Sequence, residues 1–170
     1  GGFQQQYPSG ALDNPLDDSS GTDAGMVRLY RKGGTGWQPA GQVWAADASG
    51  GERFGSSIAL SDDTMVVGAP RDDDSSGSAY VFQNTGDRWQ QVSRLTASDG
   101  ASGDFFGESV AIDGGRVVVG APGDDDDEMF YSGAAYVFEV VDGAWQWQER
   151  LKLDVPEWTS GLGTSVAVLG

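Results

Sequence analysis

Parts of this chain are near-copies of one another. Phe54-Gly55-Ser56-Ser57-Ile58-Ala59 returns 52 residues later as Phe106-Gly107-Glu108-Ser109-Val110-Ala111. Val66-Val67-Gly68-Ala69-Pro70 returns at the same spacing as Val118-Val119-Gly120-Ala121-Pro122. Ala79-Tyr80-Val81-Phe82 and Trp89-Gln90 return 56 residues later, so a four-residue insertion falls between Pro122 and Gly133. The register also runs outward: Gly25 to Tyr30 lies 52 before Gly77 to Phe82, and Trp37-Gln38 lies 52 before Trp89-Gln90. Leu162-Gly163-Thr164-Ser165 stands 56 after the second Phe-Gly. A period of this length means stacked units, each burying its apolar face on the next.

The units lack helical periodicity. The first full copy reads as four short strands, at residues 56–60, 64–68, 78–83 and 89–95, separated by turn residues. Asp62-Asp63 and Asp113-Gly114 suit the tight turn of a hairpin. Four-stranded units at this period predict an all-β fold, a partial β-propeller of antiparallel blades. The expected division is an irregular lead-in over 1–14 and an incomplete first blade over 15–53, with strands at 26–32 and 37–44. Full blades follow over 54–105 and 106–161, and the first strand of a fourth over 162–170, at residues 164–169. The strands come to fewer than three blades, and propellers close with about 4–8. The missing strands would come from further blades of the same protein or from neighbouring copies; the remaining alternative is an open array.

Composition narrows the chemistry. With 10 basic and 26 acidic residues the formal charge is −16, which repels phosphate backbones and excludes nucleic acid. There is no His and no Cys, so triads with a His base, thiol nucleophiles and the usual zinc ligands are unavailable. No nucleophile–base constellation stands out, and the chain is not expected to be an enzyme. No apolar run approaches the ~18 residues of a membrane span.

The acids are unevenly placed. In an antiparallel four-stranded blade, the loops between strands 2 and 3 share one face with the crossovers between blades. By that count 17 of the 26 acids fall on this face. Clustered carboxylates repel unless cations neutralise them, and Ca²⁺ favours 6–8 oxygen ligands. The expected Ca²⁺ ligands are Asp72, Asp73 and Asp74, then Asp124, Asp125 and Asp126, then Asp17 and Asp18, with Asp99 or Asp104 joining from a crossover. The alternative is a solvated acidic rim that blunts edge pairing. Phe54 and Phe106 are expected to pack between blades, with Gly55 and Gly107 allowing close approach. Trp37, Trp89 and Trp145 are expected to cover the blade cores, the alternative being a platform for sugar rings. Trp147 is expected on the opposite strand face from Trp145.

Phe54-Gly55 with Gly68-Ala69-Pro70, and Phe106-Gly107 with Gly120-Ala121-Pro122, resemble the FG-GAP repeats of integrin-α-type propellers. The likeness is nearest to the bacterial variant found in large extracellular proteins. It covers about Pro15 to Ala167, and implies a propeller outside the cell or at its surface. In integrin-type blades the calcium loop joins strands 1 and 2. Here that connection is the short turn at Asp62-Asp63, so that site does not carry over. The functional expectation is an extracellular structural and binding module in adhesion or matrix contact, steadied by calcium, with a protein or glycan ligand. Alternatives are a building block of a self-assembling fibre, completed by strand addition between chains, and a glycan-binding module.

Overall fold

The computed structural model describes residues 23–86, 88–125, 132–154 and 161–169. Among the described residues, ten strands form three antiparallel sheets. β1 (Val27–Gly33) and β2 (Gly36–Val43) make a two-stranded sheet. β3 (Ser57–Ser61), β4 (Thr64–Ala69), β5 (Ser78–Asn84) and β6 (Trp89–Leu95) follow in that spatial order. β7 (Ser109–Asp113), β8 (Arg116–Ala121), β9 (Ala134–Val141) and β10 (Ala144–Leu151) repeat the pattern. These are propeller-like blades, here called the first, second and third; they are not closed into a ring.

The sequence accounts for the strand characters. β4 and β8 are central, and their Val-rich runs are buried on both faces. β6 is outermost, and it alternates half-buried and exposed residues. Each pairing of the two outer strands carries one bulge at the equivalent place: Leu29/Tyr30, Val81/Phe82, and Trp147/Glu149 opposite Val137 and Phe138. A bulge twists an edge and makes it a poorer template for another strand.

The cores lie between blades rather than within them. Val27, Val43, Phe54, Met65, Val67, Tyr80 and Phe82 form the core between the first and second blades. Val66, Val81 and Leu95 point the other way and meet Phe106, Val117, Val119, Tyr136 and Phe138 of the third. Successive residues of one strand therefore serve two cores, as the period of two requires. Phe54 packs edge-on against Tyr80 and Phe82 at 5.6 and 5.9 Å, and Phe106 against Tyr136 and Phe138 at 5.4 and 6.0 Å. That is the packing role expected of both.

The joint between blades recurs three times. Phe54 N–H donates to Ala24 O at 3.0 Å, Phe106 N–H to Ser76 O at 3.0 Å, and Leu162 N–H to Ser132 O at 3.1 Å. Ser57 Oγ donates to Gly107 O at 2.8 Å, and Ser109 Oγ to Gly163 O at 2.7 Å. At the third joint Leu162 replaces the phenylalanine. Residues 164–169, expected as a strand, carry no strand pairing. The first strand of a blade pairs only with its second, and no second strand lies beside it among the described residues. The strand expected at 26–32 begins at Val27, and that at 37–44 begins at Gly36.

Candidate functional site

The loops between strands 2 and 3 and the crossovers do share one face, and arginines tie them together there. After β4, Asp72–Ser75 makes a single turn in which Asp73, Asp74 and Ser75 take φ of 47°, 56° and 69°. Asp is among the few residue types that tolerate this left-handed region. The turn closes through Ser76 N–H to Asp73 O and Gly77 N–H to Asp72 O. The crossover holds it from outside: Gly103 and Phe105 N–H donate to Ser75 O, and Ser102 Oγ donates to Asp74 O at 2.7 Å.

Asp72 is buried and points inward. Its Oδ2 accepts from Tyr80 OH at 2.8 Å and from Arg94 Nη2 at 2.8 Å. Arg94 Nε donates to Ser78 Oγ at 3.0 Å, and the same guanidinium reaches Asp73 and, at 3.5 Å, the crossover residue Asp47. It lies 5.9 Å from the centre of the Tyr80 ring. The third blade repeats the unit. Arg150 donates to buried Asp124 and lies 3.4 Å from crossover residue Asp99. Tyr136 OH is within reach of Asp124 and, at 2.9 Å, of Asp99; its one proton serves one carboxylate at a time. Asp72, Tyr80, Arg94 and Asp47 thus correspond in register to Asp124, Tyr136, Arg150 and Asp99. The first blade departs from this: Arg28 stands where the tyrosine is, paired with Gln42 where the arginine is.

The electrostatics follow from burial. Desolvation and the Asp72 carboxylate hold the Tyr80 phenol far above its usual range, and Tyr136 is raised in the same way beside Asp124. Burial works against charge on Arg94, but Asp73, Tyr80 and Asp72 more than offset it and raise its pKa. Burial raises the Asp124 carboxyl, and the bonds from Tyr136 and Arg150 recover only part. Asp104, also buried, is raised by desolvation and by Asp124, Asp125 and Asp99, against the lowering effect of Ala101 N–H.

Each expected metal ligand can now be placed. Asp72, Asp73 and Asp124 are engaged by arginine. Asp74 contributes its backbone carbonyl to the crossover contact, and Asp125 lies beside Asp104. Asp126, Asp17 and Asp18 lie outside the described residues. Among the described residues no group of three or more carboxylates is arranged to hold a metal ion. Arg94 and Arg150 stand where a cation would, so Asp72, Asp73 and Asp124 do not fit a calcium cage. The arginines and tyrosines escaped the sequence reading. Their signal was present, since Tyr and Arg recur at the same spacing as the motifs around them.

The tryptophans divide. Trp89 and Trp145 pack against the two cores, while Trp37 is exposed. Trp147 pairs with Phe138 and Trp145 with Val140, so the two share a strand face, contrary to expectation. Residues two apart do so along any stretch of strand without a bulge.

The FG-GAP repeat family model matches residues 37–82 and 89–138, more than half of the chain. The chain belongs to the FG-GAP repeat family. The first match runs from β2 through β5 and the second from β6 through β9, one strand out of phase with the blades. Each FG-GAP repeat therefore starts on the outer strand of one blade and ends on the third strand of the next, with a joint inside it. Comparison with curated proteins gives no match. FG-GAP repeats of this kind typify extracellular proteins. No helix among the described residues is long and apolar enough to cross a membrane.

Proposed function

We propose that the chain works outside the cell or at its surface as a structural and binding module, in adhesion or matrix contact. Its acidic face is the surface that meets the partner. The arginine units support this reading. By fixing each loop to the neighbouring crossover, they leave Asp47, Asp73 and Asp74 at the rim of an ordered surface. Loops ordered before binding lose little freedom on association, and binding residues commonly ride on loops over a rigid scaffold. The formal charge of −16 steers the chain toward a cationic partner. Calcium enters only through residues other than Asp72, Asp73 and Asp124.

The test separates face from net charge, with binding to an immobilised lysine-rich peptide as the readout. One variant carries Asp47→Asn, Asp73→Asn and Asp74→Asn; a second carries Asp62→Asn, Asp63→Asn and Asp142→Asn on the opposite face. The two have equal net charge. The first is expected to lose about tenfold in affinity, or ~1.4 kcal/mol, and the second to bind as the unaltered chain does. Equal losses would mean that total charge, not this face, governs binding.

A further inference from the structure

We infer that the joint between the second and third blades holds a binding site for a neutral sugar, on the face opposite the acidic loops. A groove of about 590 Å³ opens there, between the outer strand of the second blade and the β7–β8 and β9–β10 turns of the third. That volume falls in the ~300–1,000 Å³ range of small-ligand sites. The joint is internal, so a blade added before the first or after the third stacks on a different surface. The lining combines one aromatic ring with neutral polar groups. Trp145 supplies apolar surface, with the exposed Val92 and Val140 beside it. Thr64, Gln83 and Ser93 supply hydrogen-bonding groups. Thr64 Oγ1 donates to Gln83 Oε1 at 3.2 Å, which leaves the Gln83 amide N–H groups to donate. None of the described lining residues is charged, in a chain that stands at −16.

The equivalent joint between the first and second blades is built differently. There Arg31, Asp62, Asp63, Asp87 and Arg88 occupy the positions of Gln83, Gly114, Gly115, Gly143 and Ala144, and the tryptophan is kept as Trp89. The second joint has therefore lost five charged side chains and retained its ring. Gly114 and Gly115 also leave open the space that two aspartate side chains would take; a Cβ at Gly114 would meet nothing within 4 Å. Both joints stack, so stacking does not require this clearing. A cleared, uncharged groove over a retained ring suits a sugar. A pyranose presents a face of C–H groups that stacks on an aromatic side chain, and its hydroxyls pair with neutral amides and hydroxyls. A charged ligand would lose water there without gaining a counter-charge. Asp62, Asp63 and Asp142, on the same face, repel an anion in particular. The site is independent of the acidic-face reading above, and either can fail alone.

Titration of the intact chain with neutral oligosaccharides of glucose, mannose, galactose and N-acetylglucosamine tests it, with tryptophan fluorescence as the readout. At least one is expected to give a saturable shift, and an oligosaccharide of uronic acids to give none. Gln83→Ala removes the amide donors. Gly114→Asn with Gly115→Asn fills the groove without altering charge. Asp62 takes a φ of 49° at the position equivalent to Gly114, so that backbone accepts an Asn. Each variant is expected to bind about tenfold more weakly, with its melting temperature unchanged. Trp37→Ala, which removes an exposed ring elsewhere, should bind as the unaltered chain does. The inference would be overturned by no saturable shift with any of the four, or by equal binding of the uronic acids. Undiminished binding by either groove variant, or loss of binding in Trp37→Ala, would also overturn it.

Discussion

At the scale of single residues, two buried features control this protein: glycine backbones at the joints and carboxylates behind them. A Cβ on Gly68 would lie 1.9 Å from Gly107 O, and one on Gly120 would lie 1.9 Å from Gly163 O. Both atoms belong to backbone that is fixed by the adjoining blade. Gly68→Ala or Gly120→Ala is therefore expected to cost about 3 kcal/mol, the upper end for overpacking. Gly34→Ala, where nothing lies within 4 Å, should be nearly neutral. Chemical unfolding measures both. Asp104 gives a prediction in pH. Its folded pKa is raised above the ordinary 3.8, so the folded state holds its proton more tightly than the unfolded state does. Ionisation of Asp104 thus subtracts stability at neutral pH, and the loss is relieved as pH falls through the folded pKa. Asp104→Asn keeps an acceptor for Ala101 N–H and removes the charge. It is expected to raise the melting temperature at pH 7 and to flatten the pH dependence below it. The motif glycines were legible in the sequence because they recur. The burial of Asp104 was not, because an acid in a polar run looks the same whether it faces water or a crossover.

At the scale of elements, the repeat revealed strand order and approximate bounds, since the period-two patterns and turn residues are local. What it concealed was what the acidic loops bind. Asp72-Asp73-Asp74 reads as a cation site, and a cation is there, but it is the guanidinium of Arg94, delivered from β6 through long-range pairing. A contact between residues 22 apart in the chain cannot be inferred from the loop alone. The repeated Tyr80–Arg94 and Tyr136–Arg150 register pairs were the available signal. Residues 164–169 teach the complementary lesson. Their pattern is that of a first strand, and the joint at Leu162 forms, yet pairing needs a neighbour. Loss of one arginine leaves a buried aspartate without its counter-charge. Because the Arg94 side chain is 31% exposed, Arg94→Gln is expected to cost about 2–3 kcal/mol, below the ~3–5 kcal/mol of a fully buried pair. Arg150→Gln, at the equivalent place, should cost a similar amount.

At the scale of the whole molecule, the FG-GAP units are neither separate domains nor sealed blades. Each repeat spans a joint, so cutting between blades severs a repeat, and each core belongs to two blades. Sharing of the cores couples neighbouring blades. The acidic face is held by groups that the chain itself supplies. That claim is tested most directly by thermal unfolding of the unaltered chain and of the Arg94→Gln and Arg150→Gln variants, each in calcium and in a chelator. The chelator is expected to leave the unaltered chain's melting temperature in place, and each variant is expected to melt about 5–10 °C lower in either medium. A melting temperature that falls on chelation, with the arginine variants unchanged, would contradict the claim and return these loops to calcium.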